Sequence, residues 1–251
     1  MIDTRPHCTG CRDSDVVVPD FSMAFQPIVD MQDGTVFAYE ALVRGPAGEP
    51  APTILGQVDN ANRYAFDQAC RVRAIEIAVR CGLLDTPALL SINFLPNAVY
   101  SPVACIQTTL RTSQANALPV DRLMFEFTEG EEMLSPSHVE SIIDTYRRMG
   151  FSVAIDDFGA GHAGLDLFAR FRPDTIKLDM DLIRGLDSDP RRLAIVRAVV
   201  GLCAELDTRL IAEGIETRAE ADALAGLGIR YMQGYLFARP AFEALPPVMA
   251  A

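Results

Sequence analysis

Short apolar runs alternate along this chain with longer stretches in which apolar residues recur every three or four positions. The short runs read as strands and the longer stretches as amphipathic helices. Met23 to Asp30 and Thr35 to Val43 are the first two runs, joined by Gln32-Asp33-Gly34, which has hairpin-turn chemistry. Pro46, Gly48, Pro50 and Pro52 then mark a loop. Asn62 to Arg80 is predicted as a long helix, with Ala65, Ala69, Val72 and Val79 on its inner face and Gly82 just past its end. Further strand runs follow at 88–95, 123–128, 153–155, 175–178, 210–212 and 231–237. Helical periods separate them. Residues 102–111 carry a weak one, and 136–149 place Val139, Ile142, Ile143, Tyr146 and Met149 on one side. Residues 163–171 form a short helix. Asp189 and Pro190 open another, with a predicted inner face of Leu193, Val196, Val200 and Cys203. Thr217-Arg218-Ala219-Glu220 is a capping box that opens the last helix.

Strands with helices between all but the first pair imply a parallel sheet. Eight such units in 251 residues imply a closed barrel. The hairpin forces its two strands to be antiparallel. The predicted class is therefore α/β, a modified TIM (β/α)8 barrel with one antiparallel strand. Residues 1–20 are polar without a clear period and read as a flexible leader; residues 21–251 form the barrel domain.

Charge narrows the function. Lys and Arg number 22 against 34 Asp and Glu, a net charge of −12. This disfavours DNA and an anionic membrane as partners, because phosphate recognition needs a basic surface. A small anionic ligand held through metal ions stays compatible. The chain lacks a secretory apolar region and a long apolar stretch, so a cytoplasmic protein is expected. Among the cysteines only Cys8 and Cys11, preceded by His7, are closely spaced, and a lone C-x-x-C lacks the second half of a zinc site.

The candidate chemistry gathers at strand ends. The apolar run Phe151 to Ile155 turns abruptly into Asp156 and Asp157. Paired carboxylates ending a buried strand need a cation. The following Gly159-Ala160-Gly161-His162-Ala163-Gly164 matches G-x-G-x-x-G. However, two acids directly before it would repel a pyrophosphate, and no strong βαβ start precedes it. Seven strands carry a polar or ionisable residue at or near their C-terminal ends: Glu40, Asn93, Glu126, Asp156 with Asp157, Lys177, Glu213 and Gln233. In a barrel these ends converge on one face, where active sites are built. Glu40, Asn93, Glu126, Asp156 and Asp157 are oxygen donors suited to Mg2+ or Mn2+. Four carboxylates are better balanced by two such ions, with Asp156 as the natural bridge. That arrangement points to phosphoester hydrolysis, with Lys177 orienting a water and Glu213 accepting its proton. Any single acid could instead pair structurally with Lys177, but one lysine cannot neutralise them all.

Further segments appear in a fixed order. Gln26-Pro27-Ile28-Val29 precedes Glu40-Ala41-Leu42-Val43-Arg44 and Ser91-Ile92-Asn93. Glu126-Phe127-Thr128-Glu129 precedes Asp156-Asp157-Phe158-Gly159, and Ile176-Lys177-Leu178-Asp179 comes next. Ala212 to Thr217 and Gln233-Gly234-Tyr235 complete the set. Across roughly residues 21–242 this set resembles the EAL domain family of cyclic di-GMP phosphodiesterases. The resemblance implies a barrel with one antiparallel strand. It also implies hydrolysis of cyclic di-GMP to linear pGpG at two Mg2+ or Mn2+ ions, which lowers cyclic di-GMP signalling. By motif position it places Glu40, Asn93, Glu126 and Asp156 at one ion. Asp156 and Asp157 are at the other, with Glu213 nearby. It ties Lys177 to the hydrolytic water and makes Gln26, Arg44 and Gln233 substrate contacts. An arginine also suits a phosphate oxygen on physical grounds. Glu129 resembles the glutamate that holds the loop after Asp157 in its active shape. The family usually has Thr, Tyr and Ser where this chain has Ala160, His162 and Ala163. In similar proteins that loop helps dimerisation, so a homodimer is implied, and the changes bear on regulation more than chemistry. A separate sensor or regulator protein is compatible as a further partner.

Two other readings stay open. One is a receptor or protein-interaction module that binds cyclic di-GMP or a partner without cutting; such relatives usually lack a metal acid, and none is missing here. The other is an unrelated barrel enzyme using Lys177 as a Schiff-base or general-base lysine.

Overall fold

The computed structural model describes residues 16–128, 136–161 and 164–248. The hairpin forms β1 (Ser22–Asp30) and β2 (Val36–Arg44). Then follow α1 (Ala51–Leu55), α2 (Arg63–Arg80), β3 (Leu89–Asn93), α3 (Pro102–Cys105), α4 (Gln107–Ala115) and β4 (Leu123–Thr128). Next come α5 (Pro136–Arg148), β5 (Ser152–Phe158), α6 (Gly164–Phe171), β6 (Thr175–Leu178), α7 (Met180–Ile183) and α8 (Pro190–Glu205). The chain ends with β7 (Arg209–Ala212), α9 (Arg218–Gly226), β8 (Tyr231–Met232) and β9 (Ala241–Phe242). Strands β2 to β8 pair in order, each parallel to the next. β1 closes the ring, antiparallel to both β2 and β8, and β9 bonds to β1 from outside. This is the α/β barrel with one antiparallel strand that the pattern predicts.

Period-two alternation sorts the strand residues into two cores. Ile28, Ala38, Met124, Ala154 and Ile211 form a small apolar plug. Two positions further along their strands stand Glu40, Glu126, Asp156 and Glu213, on the same side as the plug. In β1, which runs the other way, the matching residue is Gln26. The alternate residues, among them Phe125, Phe127, Val153, Ile155, Ile176 and Leu178, belong to the larger core shared with the helices. A polar layer therefore sits on an apolar floor.

Local signals at several element ends match the sequence. Gly82 follows α2 with φ 92°, and Asp189 accepts the N–H groups of Arg191 and Arg192. Thr217 and Glu220 form the reciprocal capping box. Other expectations need correction. The buried face of α2 is Phe66, Cys70, Ala74, Ile75, Ile77 and Ala78, together with Asp67 and Arg71. The predicted Ala65, Ala69, Val72 and Val79 are only half-buried. The face is displaced because Asp67 and Arg71 neutralise each other and go inside. In α8 the buried residues are Val196, Val199 and Cys203; Leu193 and Val200 flank them. The proline-rich loop contains α1, since Pro52 falls in a first turn, where it is tolerated. The last barrel strand stops at Met232. Beyond it the Gln233 carbonyl accepts from Ile215 N–H, and the chain turns at Gly234. Cys8 and Cys11 lie outside the described residues. Among those described, no helix is long and apolar enough to cross a membrane.

Candidate active site

Lys177 stands at the centre of the polar layer, fully buried, because β6 sends it into the barrel above Thr175. Its Nζ lies 2.8 Å from Glu126 Oε2 and 3.1 Å from Asp156 Oδ1. It lies 3.5 Å from Glu40 Oε2. Glu213 Oε1 is 2.6 Å from the ammonium but off the hydrogen-bond direction, so this is a contact of charges. Gln233 Nε2 donates to Glu40 Oε2 at 2.8 Å, and Asn93 Nδ2 donates to Glu40 Oε1 at 3.3 Å. Six of the strand-end residues thus meet around one cation or one carboxylate.

Asp157 joins them through a break in strand regularity. Adjacent strand residues ordinarily face opposite sides. Between Ile155 and Phe158 the pairing with β6 slips, and Asp157 adopts φ 55°. This bulge re-aims one side chain without shifting its neighbour. The result is two carboxylate triads, Glu40–Glu126–Asp156 and Asp156–Asp157–Glu213, each with ligand oxygens within 4.8 Å of one another. Asp156 belongs to both.

The electrostatics follow from burial and crowding. Burial, only partly offset by Lys177, pushes Glu126 up to about 8. Burial and then the Asp156 charge push Asp157 up to about 6. The same two causes hold Glu213 well above the usual carboxylate range. For Lys177, burial favours the neutral amine, but Asp156, Glu126, Glu213 and Glu40 outweigh it and raise its pKa well above the ordinary lysine value. Four carboxylates facing one ammonium leave excess negative charge. Glu126 Oε1 is buried without a hydrogen-bond partner. An all-oxygen donor set with an unused buried acceptor fits a hard divalent cation.

Above the triads opens a cleft of about 290 Å3, lined by Gln26, Glu40, Glu213 and Gln233 among others. Gln26 Nε2 donates to the Ala238 carbonyl at 3.1 Å. Arg44 is not among the lining residues; its Nη1 donates to the Val43 carbonyl at 2.7 Å. Arg184, Glu216 and Tyr235 also line the cleft, with Arg184 Nη1 2.6 Å from Glu216 Oε2. Sequence reasoning assigned these three no role. Glu216 follows Glu213 by three residues and Tyr235 follows Gln233 by two, whereas nothing in the sequence singles out Arg184. Ala160 closes a turn by donating its N–H to the Asp157 carbonyl at 3.0 Å. Glu129, His162 and Ala163 lie outside the described residues.

Residues 15–240 match the family model described as "EAL domain". Over 225 residues the chain is 34% identical to the blue light- and temperature-regulated antirepressor BluF of Escherichia coli (strain K12), covering 90% of this chain and 55% of that protein. It is 30% identical over 234 residues to the cyclic di-GMP phosphodiesterase RocR of Pseudomonas aeruginosa, covering 88% of this chain and 57% of that one. The chain therefore spans a little over half the length of these curated relatives. A similar solved structure is that of a standalone versatile EAL protein from Vibrio cholerae O395 in its c-di-GMP bound form. The TM-score is 0.89 at 45% identity, covering 93% of this chain and 98% of that one.

Proposed function

From the chain's place in the EAL domain family, to which it belongs, we propose that it hydrolyses cyclic di-GMP to linear pGpG and so lowers cyclic di-GMP signalling. The observation that carries this reading is the pair of carboxylate triads sharing Asp156. Glu40, Asn93, Glu126 and Asp156 would hold one Mg2+ or Mn2+, and Asp156 with Asp157 a second, with Glu213 beside it. When bound, such ions supply a water of lowered pKa and a clamp for the attacking and leaving oxygens.

The chain's own groups do the rest. Lys177 stays protonated among four acids. It therefore donates, orienting the attacking water and opposing transition-state charge. A lysine so held is a poor base and a poor Schiff-base nucleophile, which counts against that alternative. Glu213, at the rim with 17% of its side chain exposed, takes the water's proton. Gln26 and Gln233 contact the substrate from the cleft wall. Arg44 reaches a phosphate oxygen after releasing the Val43 carbonyl, and Glu129 holds the loop after Asp157. The protein acts in the cytoplasm as a homodimer, with a separate sensor or regulator protein as a compatible partner.

Incubation with cyclic di-GMP and Mg2+ or Mn2+ is expected to release pGpG, and Glu40→Ala to abolish that release. Absence of turnover with both ions would sink the proposal. Specific activity that rises with protein concentration supports the dimer; a flat profile argues against it. One relative carries the name of an antirepressor, which favours a second reading as a binding module. Tight binding of cyclic di-GMP without pGpG would select it.

A further inference from the structure

Helix α2 buries a charge pair outside the polar layer of the barrel. Asp67 is 3% exposed and Arg71 is fully buried one turn later. Arg71 Nη2 donates to Asp67 Oδ2 at 2.6 Å, and Nη1 donates to the Tyr146 hydroxyl at 2.9 Å. The guanidinium carbon lies 5.4 Å from the Phe94 ring centroid and 5.3 Å from that of Phe125. Well-packed apolar residues of the same volume are often at least as stabilising as such a pair. Stability alone is therefore a weak account of it.

The second carboxylate oxygen points to another role. Asp67 Oδ1 accepts the backbone N–H of Leu95 at 2.9 Å. From the other side, the Phe94 N–H donates to the Glu126 carbonyl at 2.8 Å. Phe94 and Leu95 directly follow Asn93, whose amide meets Glu40. The chain leaving β3 is thus tied to β4 by one bond and to α2 by the next, with the Phe94 ring against the guanidinium.

We propose that Asp67 and Arg71 are positioning residues that fix the backbone at Phe94 and Leu95 and so aim the Asn93 side chain at Glu40 and the neighbouring carboxylates. This rests on the reading of Asn93 as a metal ligand made above. Asp67 acts through the Leu95 N–H. Arg71 acts through Asp67 and the Phe94 ring.

The test measures Mn2+ affinity by calorimetry, with the melting temperature recorded alongside. Asp67→Leu/Arg71→Met removes both charges together, so no lone charge stays buried. It is expected to fold with a melting temperature near that of the parent, yet to bind Mn2+ on the order of tenfold more weakly, as loss of an outer-sphere partner typically does. Asp67→Asn/Arg71→Met keeps a carbonyl acceptor for Leu95 and is expected to restore most of that affinity. A purely structural pair would leave Mn2+ binding unchanged in both, and that result overturns the proposal. Equal loss in both double variants overturns the link through Leu95. Asn93→Ala separates the two readings. Parental affinity in Asn93→Ala removes the ligand role, and the proposal with it. Weakened affinity there, with parental affinity in Asp67→Leu/Arg71→Met, removes the positioning role alone. If the Leu/Met pair does not fold, Asp67→Ala/Arg71→Met takes its place and is judged by the same outcomes.

Discussion

Asp157 and Lys177 each sit where their residue type is costly. Asp157 holds φ 55°, a conformation that costs a residue with a Cβ about 1–2 kcal/mol. The bulge that imposes it is also what brings Asp157 to the Asp156 side. Asp157→Gly and Asp157→Ala both lose the carboxylate, but only glycine relieves the backbone. In urea unfolding the Gly variant is expected to be the more stable by about 1 kcal/mol; equal midpoints would mean that the bulge relaxes freely. Lys177 faces the opposite problem, a buried cation kept by four acids. Lys177→Met leaves those acids without their cation, and the metal-free variant is expected to lose about 3–5 kcal/mol. Mg2+ should then raise its melting temperature more than it raises the parent's. An unchanged melting temperature in the metal-free variant would refute this account.

Among the elements, α2 and the turns that flank β7 and β8 are the instructive cases. The predicted face of α2 was drawn from its apolar residues alone. The real face includes Asp67 and Arg71, whose mutual neutralisation no apolar count registers. Glycine positions separate as sharply. A Cβ at Gly234 would run into the Ile215 backbone, which cannot move aside as a side chain can. Gly234→Ala is expected to cost about 1–3 kcal/mol and, being next to Gln233, to weaken substrate binding. Gly201, inside α8, has open space around its missing Cβ. Gly201→Ala is expected to stabilise by about 0.5–1 kcal/mol. Chemical denaturation of both variants checks the contrast, and a neutral Gly234→Ala would show that this contact gives way.

For the molecule as a whole, the crowded acids make metal-free stability depend on pH in an unusual direction. Glu126 titrates near 8 in the folded protein against an ordinary 4.5, and Asp157 near 6 against 3.8. Across that window the folded chain holds protons that the unfolded chain has already released. Stability therefore falls as pH rises from about 4.5 to 8, the reverse of an ordinary salt-bridged carboxylate. The raised pKa of Lys177 adds a contribution that stays constant below the unfolded lysine value of 10.5. Cation binding displaces the same protons, so it strengthens over the same range. The metal-free melting temperature is expected to drop between pH 6 and 8, while the increment from Mg2+ grows. A shrinking increment would contradict the titration of the site acids.

The sequence by itself determined the barrel, its single reversed strand and the set of polar residues at the strand ends. Hydrophobic periods report local structure, a tight hairpin dictates antiparallel pairing, and closure brings strand ends together whatever their separation along the chain. Only the tertiary structure decided how those residues are aimed. Glu40, Glu126, Asp156 and Glu213 converge on Lys177, Asp157 turns toward Asp156 at a bulge, and Arg44 bends back to its own neighbour's carbonyl. The tertiary structure also decided that α2 would bury an ion pair. Arg71 Nη1 donates to the hydroxyl of Tyr146 on α5, 75 residues away. Whether a charge can be buried depends on the partner that packing delivers to it, and a local pattern carries no record of that partner.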